Sequence, residues 1–356
     1  MGKKKIKNVL VLLGDASYPD PVKKGNKFNP EDFEVIWQLK QALSLLQGYN
    51  FEYFPDYIKE GNGFYQKGRH DELEKKLDEA KTNCDFVLNF CDEGLKNDPE
   101  KEAFIPELLE SYGLRYSGAG PRCLLLCYNK WAVKAIARYA NIPVTKHLLL
   151  TPGQEIKALP FDFPAFVKPN YGDGSFCIDE KSLVKNFDEL VKQVENIRQK
   201  CRALGRDETL LIEEYLPGKE ISAAIIGNGD NLEIKLIEEV FGATSFNTAS
   251  AKWDPESEDW KKTSSRKAQI SKKLRKELED YSAYLFNKLG CRDYARFDFR
   301  FKDDRPYFME ANPNCGWCID GHLVKAFSNY KIPDIKGYSR VLKKILDAVE
   351  SRLNLK

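Results

Sequence analysis

Hydrophobic and polar positions alternate between two periods along the chain. The run Lys7-Asn-Val-Leu-Val-Leu-Leu-Gly14 is a continuous apolar block, which predicts a buried strand ending at glycine. A polar, proline-containing loop is predicted over 15–30. Over 31–46 the apolar residues Phe33, Ile36, Trp37, Leu39, Leu43 and Leu46 recur near helical period. A second strand is predicted over 49–57, a charged helix over 71–81 and a third strand over 84–90. Strands alternating with helices indicate a parallel, doubly wound first domain.

Further along, the pattern predicts a short helix over 105–112, a connection starting at 115–120 and one helix over 123–139. A strand over 163–169, closed by Pro169, leads into the glycine-containing loop Asn170-Tyr-Gly-Asp-Gly-Ser-Phe-Cys177. A charged amphipathic helix over 181–204 precedes strands over 209–215 and 220–226, joined by Leu216-Pro-Gly-Lys219. Gly227-Asn-Gly-Asp230 reads as a hairpin turn before a strand over 232–240. Helices over 271–290 and 338–353 flank strands over 294–301 and 306–311, which meet at Lys302-Asp-Asp-Arg305. There is no internal repeat or low-complexity tract.

Composition narrows the class. The chain has 356 residues, 42% hydrophobic and 31% charged, as in a multidomain globular protein with ample core. Lys+Arg 56 against Asp+Glu 54 leaves no global charge for a nucleic-acid partner. No apolar run reaches the length of a membrane span, and the block after the basic N-terminus is too short for a signal peptide, so neither membrane nor export is expected. The count of nine cysteines is odd, which suits reduced thiols in the cytoplasm. Cys315-Gly-Trp-Cys318 has no second CxxC, and the chain has only three histidines, so this motif is read as small pocket-lining residues rather than a zinc or redox site.

The common phosphate loops are missing: there is no P-loop, and Gly118-Ala-Gly120 lacks the third glycine of a dinucleotide fingerprint. The strongest constellation lies late. Arg296 and Asp298 are two apart on one predicted strand, and Glu310 and Asn312 two apart on the next, so each pair shares a face. A turn brings the pairs together. Two carboxylates and an amide oxygen are hard ligands suited to Mg²⁺ shared with phosphates, and Arg296 could stabilise an oxyanion. By themselves, Lys130 reads as a solvated helix lysine, and Glu213 and Glu220 as surface strand charges.

Arg-x-Asp, then Glu-x-Asn followed by Gly316, resembles the ATP-grasp ligases, and most of all the D-alanine–D-alanine ligase family. The resemblance covers almost the whole chain. Phe90-Cys-Asp-Glu-Gly94, Phe104-Ile-Pro-Glu-Leu-Leu-Glu110 and Leu114-Arg-Tyr-Ser-Gly118 resemble the end of that family's first domain. Tyr128-Asn-Lys130 with Lys134 resembles its lysine helix, and Val167-Lys-Pro169 its phosphate-binding segment. Glu213-Glu-Tyr-Leu-Pro-Gly-Lys-Glu220 resembles its hinge, and the stretch 246–252 the segment bringing another lysine to ATP.

The resemblance implies a three-domain α/β ATP-grasp architecture: a parallel-sheet N-terminal domain over 1–121, and two α+β subdomains over 122–212 and 213–356 gripping ATP. It implies that Lys130 and Lys168 hold the α- and β-phosphates, while Gly172, Gly174 and Ser175 close over them. Glu213 would accept from the adenine amino group, Leu216 would read adenine through its backbone, and Glu220 would hold the ribose. Lys252 would neutralise the transferred phosphoryl group. Asp298, Glu310 and Asn312 would hold two Mg²⁺, with Mn²⁺ as the alternative. Arg296 and the Gly316 N–H would form the oxyanion hole. The implied reaction is carboxylate–amine ligation through an acyl phosphate, with small amino-acid or peptide substrates and, by analogy, a homodimer.

The match departs on the amino-acid side. No clear counterpart of the early glutamate that binds the first amine is present; Asp15 and Glu34 are the candidates to replace it. Trp253 stands where a tyrosine is usual. The acceptor segment is Asn314-Cys-Gly-Trp-Cys-Ile-Asp-Gly321, in which Cys315, Asp320 and Gly321 are candidate substrate residues and Asp320 would repel a carboxylate. A substrate pair other than two D-alanines is expected. A kinase acting on a carboxylate or hydroxyl without ligation and a non-catalytic ATP-binding module are the alternatives.

Overall fold

The computed structural model describes residues 6–20, 23–61, 63–172, 177–241 and 258–355. Gly174, Ser175, Lys252 and Trp253 lie outside the described residues. Among the described residues no helix is long and apolar enough to cross a membrane.

The first sheet is the predicted parallel one. Strand β1 (Lys7–Leu12) lies between β2 (Tyr49–Phe54) and β5 (Phe86–Asn89), parallel to both. Its side chains alternate between two cores. Val9 and Val11 pack with Ile36 and Leu39 of helix α1 (Pro30–Ser44), and Leu10 and Leu12 with Leu73 and Leu77 of α2 (Leu73–Asn83). A strand covered on both faces is apolar at every position, which is why the run 9–13 is unbroken. The second strand is shorter than predicted. Pro55, which has no N–H for a ladder, ends it, and β3 (Asp56–Glu60) and β4 (Gly63–Lys67) form a separate antiparallel hairpin.

The helix predicted over 123–139 is two helices, α4 (Pro121–Tyr128) and α5 (Lys130–Tyr139), the short α3 (Phe104–Ser111) preceding them. Asn129 is extended (φ −89, ψ 90) and its side chain accepts from the Ala132 N–H, so it caps α5 instead of continuing α4. Likewise α6 (Phe187–Ala203) starts later than 181, because Asn186 caps it by accepting from the Glu189 N–H.

A four-stranded sheet follows, ordered β6 (His147–Leu150), β9 (Leu210–Glu214), β7 (Ala165–Pro169), β8 (Leu183–Val184). The five-stranded sheet is ordered β12 (Ser264–Lys267), β11 (Asn231–Val240), β10 (Glu220–Asn228), β13 (Asp293–Lys302), β14 (Arg305–Asn312), with all neighbours antiparallel. One face, including Ile221, Ala223, Phe297 and Phe299, packs on α4, α5 and α7 (Lys272–Leu289). The other, including Ala224, Ile226 and Tyr294, shares a core with the first sheet and with α9 (Ile335–Leu353). β6, β12 and the short helix α8 (His322–Phe327) have no counterpart in the sequence reading.

The domain line expected at 212/213 falls inside β9, and the line at 121/122 inside the first turn of α4. Helices α4 and α5 pack on the five-stranded sheet rather than the four-stranded one.

Candidate active site

The alternation of β13 and β14 sets the centre of the site. Register pairs Asp298 with Glu310 and Arg296 with Asn312, and β10 brings Ser222 opposite Asp298. The strands slip by one residue just after Asp298, which ends this paired stretch. Arg296 donates from Nε to Asp298 Oδ1 at 3.0 Å and from Nη2 to Oδ2 at 3.0 Å. Asn312 Nδ2 donates to Asp298 Oδ2 at 2.9 Å, and Ser222 Oγ to Oδ1 at 2.6 Å. Among the described residues no hydrogen bond or ion pair engages the Glu310 carboxylate. Ser222 also lies 3.5 Å from His322 Nδ1, and His322 Nε2 is 2.5 Å from Glu239.

Beside β14 lies a buried charged group. Lys134 Nζ is 2.7 Å from Glu213 Oε1, and Lys168 Nζ is 2.6 Å from Glu213 Oε2. Thr145 donates to the same Oε1 at 2.5 Å, and Lys134 donates to the Phe308 carbonyl at 3.2 Å. Lys134 is 0% exposed and Glu213 1%, so the reading of Glu213 as a surface strand charge is overturned. Burial alone would raise the Glu213 pKa, but Lys134 and Lys168 hold it well below the usual carboxylate range. Burial lowers the Lys134 pKa despite Glu213, whereas in Lys168 the same carboxylate outweighs burial and raises it. The charge of Glu310 reaches both lysines.

Lys130 is buried too, not a solvated helix lysine. It opens α5 against the loop after β7. Its N–H donates to the Asn170 carbonyl at 3.1 Å and its Nζ to the Gly172 carbonyl. The hinge lies flat on β13: Gly218 N–H donates to the Phe301 carbonyl at 3.0 Å, and a Cβ at Gly218 would lie 2.3 Å from that oxygen. Leu216 is buried within the hinge. Glu220, at the start of β10, has its carboxylate 3.8 Å from Arg300 Nε.

The other wall is the segment 314–321. Cys315, Trp317 and Ile319 belong to the core shared with the first sheet. The Trp317 ring meets Phe90 and Tyr294 edge-on at 5.1 and 4.8 Å, and its carbonyl accepts from Tyr338 Oη at 2.7 Å. Gly316 and Asp320 are half-buried. A Cβ at Gly316 would lie 3.1 Å from Asp92 Oδ2, so a carboxylate from the first domain borders the glycine. Burial pushes the Cys315 thiol up to about 12 and Cys318 well up, which keeps both protonated and poorly nucleophilic. Gly321 begins α8, donating its N–H to the Cys318 carbonyl at 2.9 Å.

Neither candidate for the first amine is open. Asp15 is 0% exposed and accepts from Ser17, Gln66 and the His70 N–H. Glu34 pairs on the surface with Lys59 at 3.0 Å. Nearer the cleft, Lys23 gathers Asp32, Asp20 and Glu93 at 3.1, 3.3 and 3.5 Å.

The family model "D-ala D-ala ligase C-terminus" matches residues 137–331, more than half of the chain. The chain belongs to the D-alanine–D-alanine ligase family. D-alanine–D-alanine ligase A of Bacillus cereus is 28% identical over 280 residues, spanning 77% of this chain and 84% of that protein. The D-alanine–D-alanine ligase of Clostridium botulinum (strain Loch Maree) is 28% identical over 215 residues, spanning 60% of this chain and 66% of that protein. Among solved structures, the Bacillus anthracis D-alanine–D-alanine ligase complexed with ATP gives a TM-score of 0.67 at 22% identity over 98% of this chain and all of that one. VanG D-Ala:D-Ser ligase of Enterococcus faecalis gives 0.65 at 18% identity over 97% and 100%. The fold is therefore ATP-grasp, with a parallel-sheet N-terminal domain.

Asp298, Glu310 and Asn312 offer oxygen atoms of the kind a hard divalent cation takes; the oxygens of Asp298 already accept from Arg296, Asn312 and Ser222, so the Glu310 carboxylate is the one that fits such an ion best. Sequence reasoning missed Ser222, Thr145, Asp92 and His322, and left Lys134 without a role. Only Lys134 carried a signal, four residues after Lys130 on one helix face.

Proposed function

We propose that the chain is an ATP-dependent carboxylate–amine ligase that forms an amide bond through an acyl phosphate, and that its substrates are not two D-alanines. The observation supporting ligation is the pairing of Asp298 with Glu310 beside Arg296, next to the buried Lys134–Glu213–Lys168 group. The reaction needs both: fixed cations for phosphate charge and a donor for the oxyanion of the tetrahedral intermediate.

In this reading a substrate carboxylate attacks the γ-phosphate of ATP, giving an acyl phosphate and ADP. An amine then attacks the acyl carbon and phosphate leaves. Lys130 and Lys168 hold the α- and β-phosphates, and Gly172, Gly174 and Ser175 cover them. Leu216 and Glu220 read the adenine and ribose. Both Glu213 oxygens are engaged by lysines, so its part is to position Lys168 as well as to face the adenine amino group. Lys252 neutralises the moving phosphoryl group. Asp298, Glu310 and Asn312 would hold Mg²⁺ or Mn²⁺, which when bound shields the phosphate charge. Arg296 and the Gly316 N–H steady the oxyanion. Trp253, Cys315, Asp320 and Gly321 line the acceptor side, and a homodimer is the assembly analogy favours.

The substrate difference rests on Asp92 and Asp320, two acids at the segment that would otherwise receive a carboxylate. The VanG neighbour is named for a D-Ala:D-Ser pair, so this fold accommodates more than one acceptor. ADP and phosphate release over paired amino acids and dipeptides, with mass spectrometry of the product, tests the proposal. An amide product other than D-alanyl-D-alanine supports it; efficient D-alanyl-D-alanine synthesis refutes the substrate difference. A hydroxylamine-trapped acyl phosphate that no amine consumes would favour the kinase alternative.

A further inference from the structure

Three thiols outside the ligase machinery meet inside the core under α4. Cys123 and Cys127 are one turn apart on that helix and share a face. Cys291 arrives from the far end of α7, just before β13. The Cys123 sulfur is 4.0 Å from that of Cys127 and 3.8 Å from that of Cys291, and all three lie within 4.8 Å of one another. Their exposures are 5%, 3% and 7%, and all three are free thiols.

Thiols can pack simply as small apolar groups. Two features here go further. With two edges of 3.8 and 4.0 Å and a third of at most 4.8 Å, a point in the sulfur plane lies about 2.2–2.5 Å from all three, close to the length of a metal–thiolate bond. Positive charge also stands beside the group. Arg292, adjacent to Cys291, is anchored by its Nε to the Gly118 carbonyl at 2.8 Å, with its guanidinium over the Tyr116 ring. Arg292 thus brings positive charge to bear on Cys123, while Glu102 faces Cys127 with the opposite sign.

We propose that Cys123, Cys127 and Cys291 form a three-thiolate site for a soft d¹⁰ cation, Cu(I) or Zn(II). Thiolates select such ions, and among the described residues the cluster holds no histidine or carboxylate that would recruit a harder one. Binding forms three metal–sulfur bonds, releases the ligand thiol protons to solvent and changes no oxidation state. Arg292 offsets part of the anionic charge. The bound ion would tie α4, and through it Lys130, to the strand carrying Arg296 and Asp298.

The test uses the full chain, reduced, metal-free and anaerobic. It is titrated with Cu(I) against a competing chromogenic chelator, and separately with Zn(II). We expect one ion per chain for at least one of the two. X-ray absorption should give three sulfurs alone at copper, or three sulfurs plus one light atom at zinc. Cys123→Ala and Cys291→Ala should each weaken binding by about 100-fold or more, whereas Cys315→Ser/Cys318→Ser should leave it in place. Failure of both ions to outcompete the chelator overturns the site, as does loss of binding in the Cys315/Cys318 variant alone. If the alanine variants do not fold, the wild-type spectrum decides, and fewer than three sulfurs overturns the proposal.

Discussion

The two walls of the cleft handle charge differently. On the wall assigned to the nucleotide, most charges are buried and matched, Glu310 excepted: Glu213 sits between Lys134 and Lys168, and Asp298 is held by Arg296, Ser222 and Asn312. On the acceptor wall the aromatic and aliphatic side chains of the segment 314–321 are sunk in the core, while Asp92 and Asp320 stand at its half-buried surface. Buried ion pairs cost desolvation and seldom add net stability, so such a group is better understood as fixing lysine positions for a polyanionic ligand. The acceptor wall fixes its backbone by packing Cys315, Trp317 and Ile319 into the core. A fold built this way can keep its activation chemistry while its amine specificity changes.

The largest test of that contrast is Glu310→Ala. Removing the open carboxylate should bring turnover to background while the fold persists, checked by ADP release beside circular dichroism. Turnover like that of the wild type would refute the metal assignment. Next, Glu213→Ala leaves two buried lysines without their carboxylate and should cost about 3–5 kcal/mol in urea unfolding. Glu213→Gln keeps the volume and should cost less. A loss below about 1 kcal/mol would mean that the pairs are incidental. Arg296→Ala follows, with kcat lowered by about 10²–10³ and KM for ATP little changed, as for loss of an oxyanion donor.

What the sequence made legible tracks how local each feature is. Arg296, Asp298, Glu310 and Asn312 lie on two strands joined by a two-residue turn, so period-two alternation alone brought them together. The Lys134–Glu213–Lys168 group draws on α5, β7 and β9, and nothing in the pattern around Glu213 separates a buried carboxylate from a solvated one. Asn129 was hidden because the apolar period continues past it; only its cap to Ala132 reveals the break. In the β3–β4 hairpin, β4 alternates between exposed and half-buried positions and β3 is exposed from Ile58 to Glu60, so there is too little apolar contrast to stand out. Asp92 beside Gly316, and the three thiols under α4, depend on contacts between remote segments.

Stability should respond to pH through buried histidines before it responds through Glu213. Near the first sheet His70 is buried and neutral: its Nδ1 accepts from the Lys96 N–H at 2.8 Å, and its Nε2 lies 2.9 Å from the Leu13 carbonyl. Burial lowers its pKa, so the unfolded chain binds the proton first. Its contribution to stability is present above about pH 6.5 and is lost as pH falls below that value. Glu213 is also lowered, and its contribution is present above about pH 4.5 and lost only below it. Urea unfolding between pH 7 and 5 should therefore weaken through His70 and through His147, whose pKa burial also lowers, and His70→Gln should remove only its own part of that slope.

The smallest effect concerns the acceptor wall alone. Asp320 is half-buried, and it and Asp92 both face Cys318. Replacing it by serine removes one negative charge where an incoming amine carries its own charged group. If acceptor choice resides here, Asp320→Ser should raise KM for the true amine by about tenfold, equivalent to about 1.4 kcal/mol, with KM for ATP unchanged. Amines bearing a free carboxylate should gain in relative kcat/KM. The paired comparison matters more than either number: a change shared equally by ATP and amine would place Asp320 in the general scaffold, and the separation of the two walls would fail at its most exposed point.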